Sequence, residues 1–262
     1  MGSIRQPAVA GSFYPGDSAR LSEVVERFLG GHLRAKTRAP KAIIAPHAGY
    51  DYSGPVAGSV YSLLRNEAAN VRSVVLMGPA HRVAIHGLAA PGCEAFDTPI
   101  GRVRVDRQSV KALAKRRLIS INDPVHQKEH GLEVHLPFLQ TIFPDFSMVP
   151  LAVGDAKPTE VQAVLNALWG GPETLIVVSS DLSHYYPYNE AQALDERTAA
   201  SIEKLEPEAI GSEQACGQIA IQGLLLCARD RGLEARTLDL RNSGDTAGSP
   251  HQVVGYGAFI VN

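Results

Sequence analysis

Four short apolar runs in this chain each end in a small-residue turn that delivers a histidine or an acid. They are Ala42-Ile43-Ile44-Ala45-Pro46-His47, Val74-Val75-Leu76-Met77-Gly78-Pro79-Ala80-His81, Leu175-Ile176-Val177-Val178-Ser179-Ser180-Asp181 with His184 behind it, and Leu238-Asp239-Leu240 leading to Ser243-Gly244-Asp245. Runs without polar alternation suit strands covered on both faces, as in a parallel sheet. Open α/β sheets build ligand sites just beyond the carboxyl ends of such strands. Side chains remote in sequence can therefore meet along one edge of one sheet.

The rest of the chain alternates helical and strand patterns. Asp17 is a natural N-cap for a helix carrying Leu21, Val24, Val25 and Phe28 on one face. Strands are expected near 41–45, 72–77, 146–151, 174–179, 234–240 and 253–261, and a peripheral hairpin over 98–106. Helices are expected near 55–66, 107–117, 132–143, 158–169, 189–204 and 216–230, the last being the most buried. This pattern predicts one α/β domain spanning residues 1–262, with a mixed, mostly parallel central sheet flanked by helices.

Bulk properties remove several classes of function. A formal charge of -2 gives no electrostatic reason to expect nucleic acid as a partner. No apolar run approaches the 18 residues of a membrane span, and Met1 to Gln6 lacks a signal-peptide core. Cys93, Cys216 and Cys227 form no CxxC spacing, so they are expected to be reduced, structural thiols in a cytoplasmic protein. Cys216 and Cys227, about three turns apart, are expected to share one buried helix face.

His47 and His81 occupy equivalent positions, each just past a buried strand and beside proline and small residues. Asp245 is the candidate that completes a two-histidine, one-carboxylate set, which suits Fe(II) and is also acceptable to Zn(II). Asp181 and His184 are candidates for a ligand-orienting acid and a proton-transfer base. In the run His126 to His135, His130 and Glu133 can share a helix face, with Glu133 a candidate buried acid at the site rim. The HExxH order of a zinc protease is absent, as are a Walker loop, a dinucleotide fingerprint and a Gly-x-Ser-x-Gly elbow. Tyr14, Tyr50, Tyr52, Tyr185, Tyr186 and Tyr188 cluster around these motifs and could stack on an aromatic small molecule.

Six segments in order resemble the Memo family, known in prokaryotes as AmmeMemoRadiSam system protein B. They are Arg5-Gln6-Pro7-Ala8-Val9-Ala10-Gly11-Ser12-Phe13-Tyr14-Pro15, Ala45-Pro46-His47-Ala48-Gly49-Tyr50, Gly78-Pro79-Ala80-His81, His130-Gly131-Leu132-Glu133-Val134-His135-Leu136-Pro137-Phe138, Ser179-Ser180-Asp181-Leu182-Ser183-His184 and Ser243-Gly244-Asp245. The family is similar in fold to class III extradiol ring-cleaving dioxygenases of the LigB type. The resemblance implies that His47 and His81 are metal ligands, with the third in the Ser243–Asp245 segment. Animal members carry a cysteine about there. Asp245 in its place favours a harder ligand set, hence Fe(II) over Cu, with Cu and Zn as the alternative metals. Asp181 and His184 match residues lining the same pocket. Gly131 and His135 stand where serine and glutamine are common. The family's name further implies association with radical-SAM and AMMECR-type proteins. The expected function is a metal-dependent redox enzyme, an extradiol-type dioxygenase acting on a catechol-like substrate. The alternatives are a non-catalytic binding or scaffold protein and a metal-assisted hydrolase.

Overall fold

The structure, a computed structural model, describes residues 3–31 and 40–262. Among the described residues twelve strands form one sheet. In chain order the strands are β1 (Ile4–Arg5), β2 (Ala42–Ala45), β3 (Ser73–Pro79), β4 (Leu88–Ala90), β5 (Ala95–Thr98), β6 (Gly101–Val105), β7 (Ser120–Ile121), β8 (Ser147–Val153), β9 (Thr174–Ser179), β10 (His184–Tyr186), β11 (Ala235–Asn242) and β12 (Val253–Val261). The α-helices are α1 (Ser18–Gly30), α2 (Tyr50–Tyr61), α3 (Arg107–Lys115), α4 (Asp123–Gln127), α5 (Leu136–Ile142), α6 (Pro158–Leu168), α7 (Tyr188–Glu203) and α8 (Gln218–Asp230).

At the centre, β8, β3, β9 and β2 lie side by side and parallel, and β12 joins β2 antiparallel. The residues of β2 and β9 are buried throughout, which explains their unbroken apolar character. All three apolar runs ending at His47, His81 and Asp181 therefore leave the sheet at the same edge. The expected α/β fold with its mixed, largely parallel sheet is present, and the hairpin is the antiparallel pair β5–β6.

The fourth run differs. Among the described residues β11 pairs only with β12, and it is half-buried along most of its length. It runs on the far side of β12, two strand spacings from β2, or about 10 Å. Its end is displaced sideways from that of β2 by that distance, and from those of β9 and β3 by one and two further spacings.

Local chemistry accounts for the helix boundaries. Asp17 caps α1, its carboxylate accepting from Arg20 N at 2.9 Å, and Leu21, Val25 and Leu29 face the core. α2 starts at Tyr50 rather than near 55, so Pro55 falls inside it. α2, not α8, is the more deeply buried helix. Small residues make this possible: a Cβ on Gly58 would lie 2.6 Å from the Phe28 carbonyl oxygen, so α1 and α2 approach closely only because Gly58 has none. The stretch expected as one helix over 132–143 is a single 3-10 turn (Glu133–His135) followed by α5.

On α7, Asp195 is buried and accepts from Ser183 N at 3.0 Å. A Cβ on Gly255 of β12 would lie 2.0 Å from its carboxylate. Burial raises the Asp195 carboxyl to about 6. An unfolded aspartate ionises near 3.9, so between about pH 4 and pH 6 the native state holds the extra proton and stability falls as pH rises. Asp195→Asn is expected to remove that fall, making the variant more stable than the parent above pH 6 by on the order of 2 kcal/mol. Urea unfolding of both proteins at pH 4.5 and 7.5 measures it; equal pH dependence in the two would refute it.

Candidate metal centre

β2 ends at Ala45 and β9 at Ser179, and their exits put His47 against Ser179 and Asp181. His47 Nδ1 lies 2.7 Å from Ser179 Oγ, whose own hydroxyl donates to the Gly131 carbonyl. The hydroxyl has one proton, already used, so it accepts from His47 Nδ1–H. That fixes the tautomer and leaves the Nε2 lone pair free.

His81 follows β3. Its Nδ1 lies 2.8 Å from Glu129 Oε1, and its backbone N–H donates to Glu129 Oε2 at 2.7 Å. Although burial opposes ionisation, the contacts from His81 and the Gly131 N–H hold the Glu129 carboxyl down at about 2. An ionised carboxylate only accepts, so His81 Nδ1 carries the proton and Nε2 is again free. Gly131 sits against both rings: a Cβ there would lie 3.4 Å from His81 Cε1 and 3.5 Å from His47 Nδ1. The two ring centroids are 5.0 Å apart.

The third group brought to this place is Cys216. Its Sγ lies 3.3 Å from His47 Nε2, and ligand atoms of His47, His81 and Cys216 all fall within 4.8 Å of one another. Cys216 precedes α8 instead of lying on it. The segment packs against the end of β9 so tightly that a Cβ on Gly217 would lie 2.7 Å from Ser180 Cβ. Burial, with Asp181 adding, pushes the thiol up to about 12. A cation is therefore needed to hold it as thiolate, and binding would release its proton.

The expected third ligand, Asp245, is elsewhere. It lies in a turn after β11, where Oδ1 accepts from Tyr188 Oη at 2.5 Å and Oδ2 from Asn242 N at 2.9 Å. Of that segment Ser243, not Asp245, lines the cavity. The expectation that Cys216 and Cys227 share a helix face is corrected in the same way; Cys227 alone is on α8, buried against α6.

The cavity above the two histidines has a volume of about 480 Å³, within the range of about 300–1,000 Å³ typical of small-molecule sites. His130, Asp181 and His184 border it. His130 stacks on His81 with centroids 4.7 Å apart, and burial lowers its pKa. Asp181 accepts from the N–H groups of His47 at 2.7 Å and Ala48 at 3.3 Å, and burial raises it against those contacts. Its Oδ2 is 3.9 Å from His47 Nε2. His184 Nδ1 lies 2.8 Å from the Leu182 carbonyl, an acceptor, so Nδ1 carries a proton and Nε2 is left facing the cavity side.

Glu133 does not border the cavity. It is fully buried and grips the N-terminal segment: Oε2 accepts from Arg5 at 2.6 Å and Ala8 N at 2.7 Å, Oε1 from Val9 N at 3.0 Å and Tyr14 Oη at 2.6 Å. His130 and Glu133 thus face opposite tasks: His130 lies in the loop before the 3-10 turn that begins at Glu133, so the two do not share a helix face. His135 is buried behind the site, its Nδ1 2.9 Å from Tyr61 Oη. Of the tyrosines expected there, Tyr52 and Tyr185 reach the cavity, joined by Tyr256 of β12, whereas Tyr14 and Tyr50 are core and Tyr188 holds Asp245.

An α/β sheet with a histidine-lined cavity at its carboxyl edge and a thiol beside His47 is what comparison with known proteins places in a family. The Memo-like protein family model matches residues 5–260. A MEMO1 family protein of Archaeoglobus fulgidus is 34% identical over 270 residues, covering 98% of this chain and 99% of that one. Another, from Aquifex aeolicus, is 33% identical with 98% of each covered. The chain belongs to the Memo-like family. An uncharacterized protein of Escherichia coli K12 shares the fold, with a TM-score of 0.52 and 16% identity over 84% of this chain and 99% of that one. Among the described residues no helix is long and apolar enough to cross a membrane.

Proposed function

We propose that this protein is a metal-dependent redox enzyme in which His47 Nε2, His81 Nε2 and Cys216 Sγ hold a first-row transition metal at the floor of a small-molecule cavity. The observation that carries it is the tautomer arrangement. Two histidines have Nδ1 tied to Ser179 and Glu129, so that both present bare Nε2 atoms beside one thiol. Metal-ligating histidines are held in this manner by partners on the other ring nitrogen. With a thiol in place of a carboxylate, the argument for iron over copper from ligand hardness no longer applies. Iron and copper both suit a redox role, and zinc suits the alternative of hydrolysis.

A bound redox metal would supply a Lewis-acidic, electron-accepting centre. The chain's own part is to bind, orient and move a proton. Asp181 fixes the backbone at His47 through two N–H bonds, while His184 Nε2 is the base for a substrate hydroxyl entering the cavity. A catechol-type diol fits this arrangement, since its acidic hydroxyls match both a metal and a base. Elemental analysis of anaerobically purified protein, with O2 uptake on a catechol panel, tests the reading. His47→Ala and His81→Ala are expected to lose the metal; full metal content in both would overturn the assignment. Turnover without O2 would favour hydrolysis.

The carboxylate behind His81 has its own expected effect. Glu129→Gln puts an amide N–H where His81 Nδ1–H or a backbone N–H must donate, so the ring loses its fixed orientation. Metal affinity is expected to drop about 10–100-fold, measured by competition with a chromophoric chelator. Unchanged affinity would remove Glu129 from this role.

A further inference from the structure

We propose that Tyr185 is a specificity-determining residue, a tyrosine held in a strained backbone conformation so that its ring stacks on an aromatic substrate at the cavity mouth. The proposal rests on the reading above and deepens it. Strand β10 slips register against β12 between His184 and Tyr186, making Tyr185 the bulged residue. Its φ is +63°, a left-handed conformation that glycine adopts freely and a tyrosine does not. Bulges of this kind re-aim a side chain next to a site.

The ring is 69% exposed, so burial in the core does not repay that strain. It borders the same cavity as His184, with ring centroids 5.8 Å apart at 67°. Tyr52, 42% exposed, and Phe13 border it too. Two exposed tyrosines and a partly buried phenylalanine gathered at one opening, beside His184 Nε2, suit a planar ring with hydroxyl groups. Among the described residues lining the cavity there is no lysine or arginine, and Asp181 is an acid there. A phosphorylated or sulfated group at the mouth would meet no lysine or arginine, leaving the metal of the proposed site as its one cationic partner. The ligand class is therefore an uncharged or weakly acidic aromatic small molecule.

The test compares nitrocatechol, an aromatic chelator, with acetohydroxamate, a chelator without a ring, on the wild type, Tyr185→Ala, Tyr185→Gly and Tyr185→Phe. Metal content is measured on the same samples. Removing the ring is expected to weaken nitrocatechol about tenfold and acetohydroxamate less than about twofold, with Tyr185→Phe close to wild type. Tyr185→Gly is also expected to raise Tm by about 2–4 °C by relieving the strain. Metal-replete protein whose nitrocatechol affinity ignores Tyr185 overturns the stack and leaves the metal site standing. Metal-free protein that binds nitrocatechol in a Tyr185-dependent way supports the stack and overturns the metal site. Failure of the wild type to bind nitrocatechol, equal weakening of both probes, or a lower Tm for Tyr185→Gly overturns the proposal.

Discussion

Glu133→Ala is expected to destabilise the protein by about 3–5 kcal/mol, the cost of leaving a buried charge without its partner. The carboxylate is fully buried and accepts four hydrogen bonds. Its loss strands the Arg5 guanidinium, itself buried, together with the Ala8 and Val9 N–H groups and the Tyr14 hydroxyl. Arg5 keeps contacts to the His126 and Glu129 carbonyls, but both are neutral. Glu133→Gln should fare little better, because each carboxylate oxygen accepts two donors and an amide nitrogen can accept none. Chemical denaturation read by circular dichroism checks this. The damage should reach the cavity as well. The N-terminal segment carries Phe13, whose ring lies 4.8 Å from that of His130 and whose carbonyl accepts from Tyr50 N. A Glu133→Ala protein as stable as the parent would show that the segment is held by other means.

The second large effect concerns the thiol. Cys216→Ser is expected to lower metal affinity by at least about 100-fold while leaving stability almost unchanged. A serine hydroxyl is nearly isosteric with the thiol, but it stays protonated and is a poor ligand. Because the Cys216 thiol is pushed up to about 12 and must lose its proton to bind a cation, apparent affinity in the parent should rise with pH through the neutral range. In Cys216→Ser that part of the pH dependence should disappear. Isothermal titration in two buffers of different ionisation enthalpy counts the released proton directly.

Much of the fold was legible because the chain states it locally. β2, β3 and β9 carry unbroken apolar runs, and each can only be a doubly covered strand, so the meeting of His47, His81 and Asp181 on one edge follows from parallel pairing. The fourth run misled because the same apolar-turn-acid pattern also arises in β11. Its interruption by Asp239 and Arg241 marks a half-buried strand paired antiparallel beyond β12. Cys216 could not be placed from sequence, since no periodicity records that the start of α8 packs onto Ser180. The one local signal was the Cys216-Gly217 step just before an apolar helix, where a missing side chain permits close approach. The role of Glu133 was hidden for a similar reason: its partners lie 119–128 positions away, and three of its four donors, two backbone N–H groups and a tyrosine hydroxyl, are of kinds found along the whole chain.

The central claim is that the third metal-binding group is Cys216 and not Asp245. Anaerobic Co(II) titration of the metal-free protein tests it most directly, because a cobalt–thiolate bond produces a sulfur-to-metal charge-transfer band in the near ultraviolet. The band is expected in the wild type and in Asp245→Asn, and is expected to be lost in Cys216→Ser. A wild type that binds Co(II) without the band, or a band that survives Cys216→Ser and vanishes in Asp245→Asn, would contradict the claim.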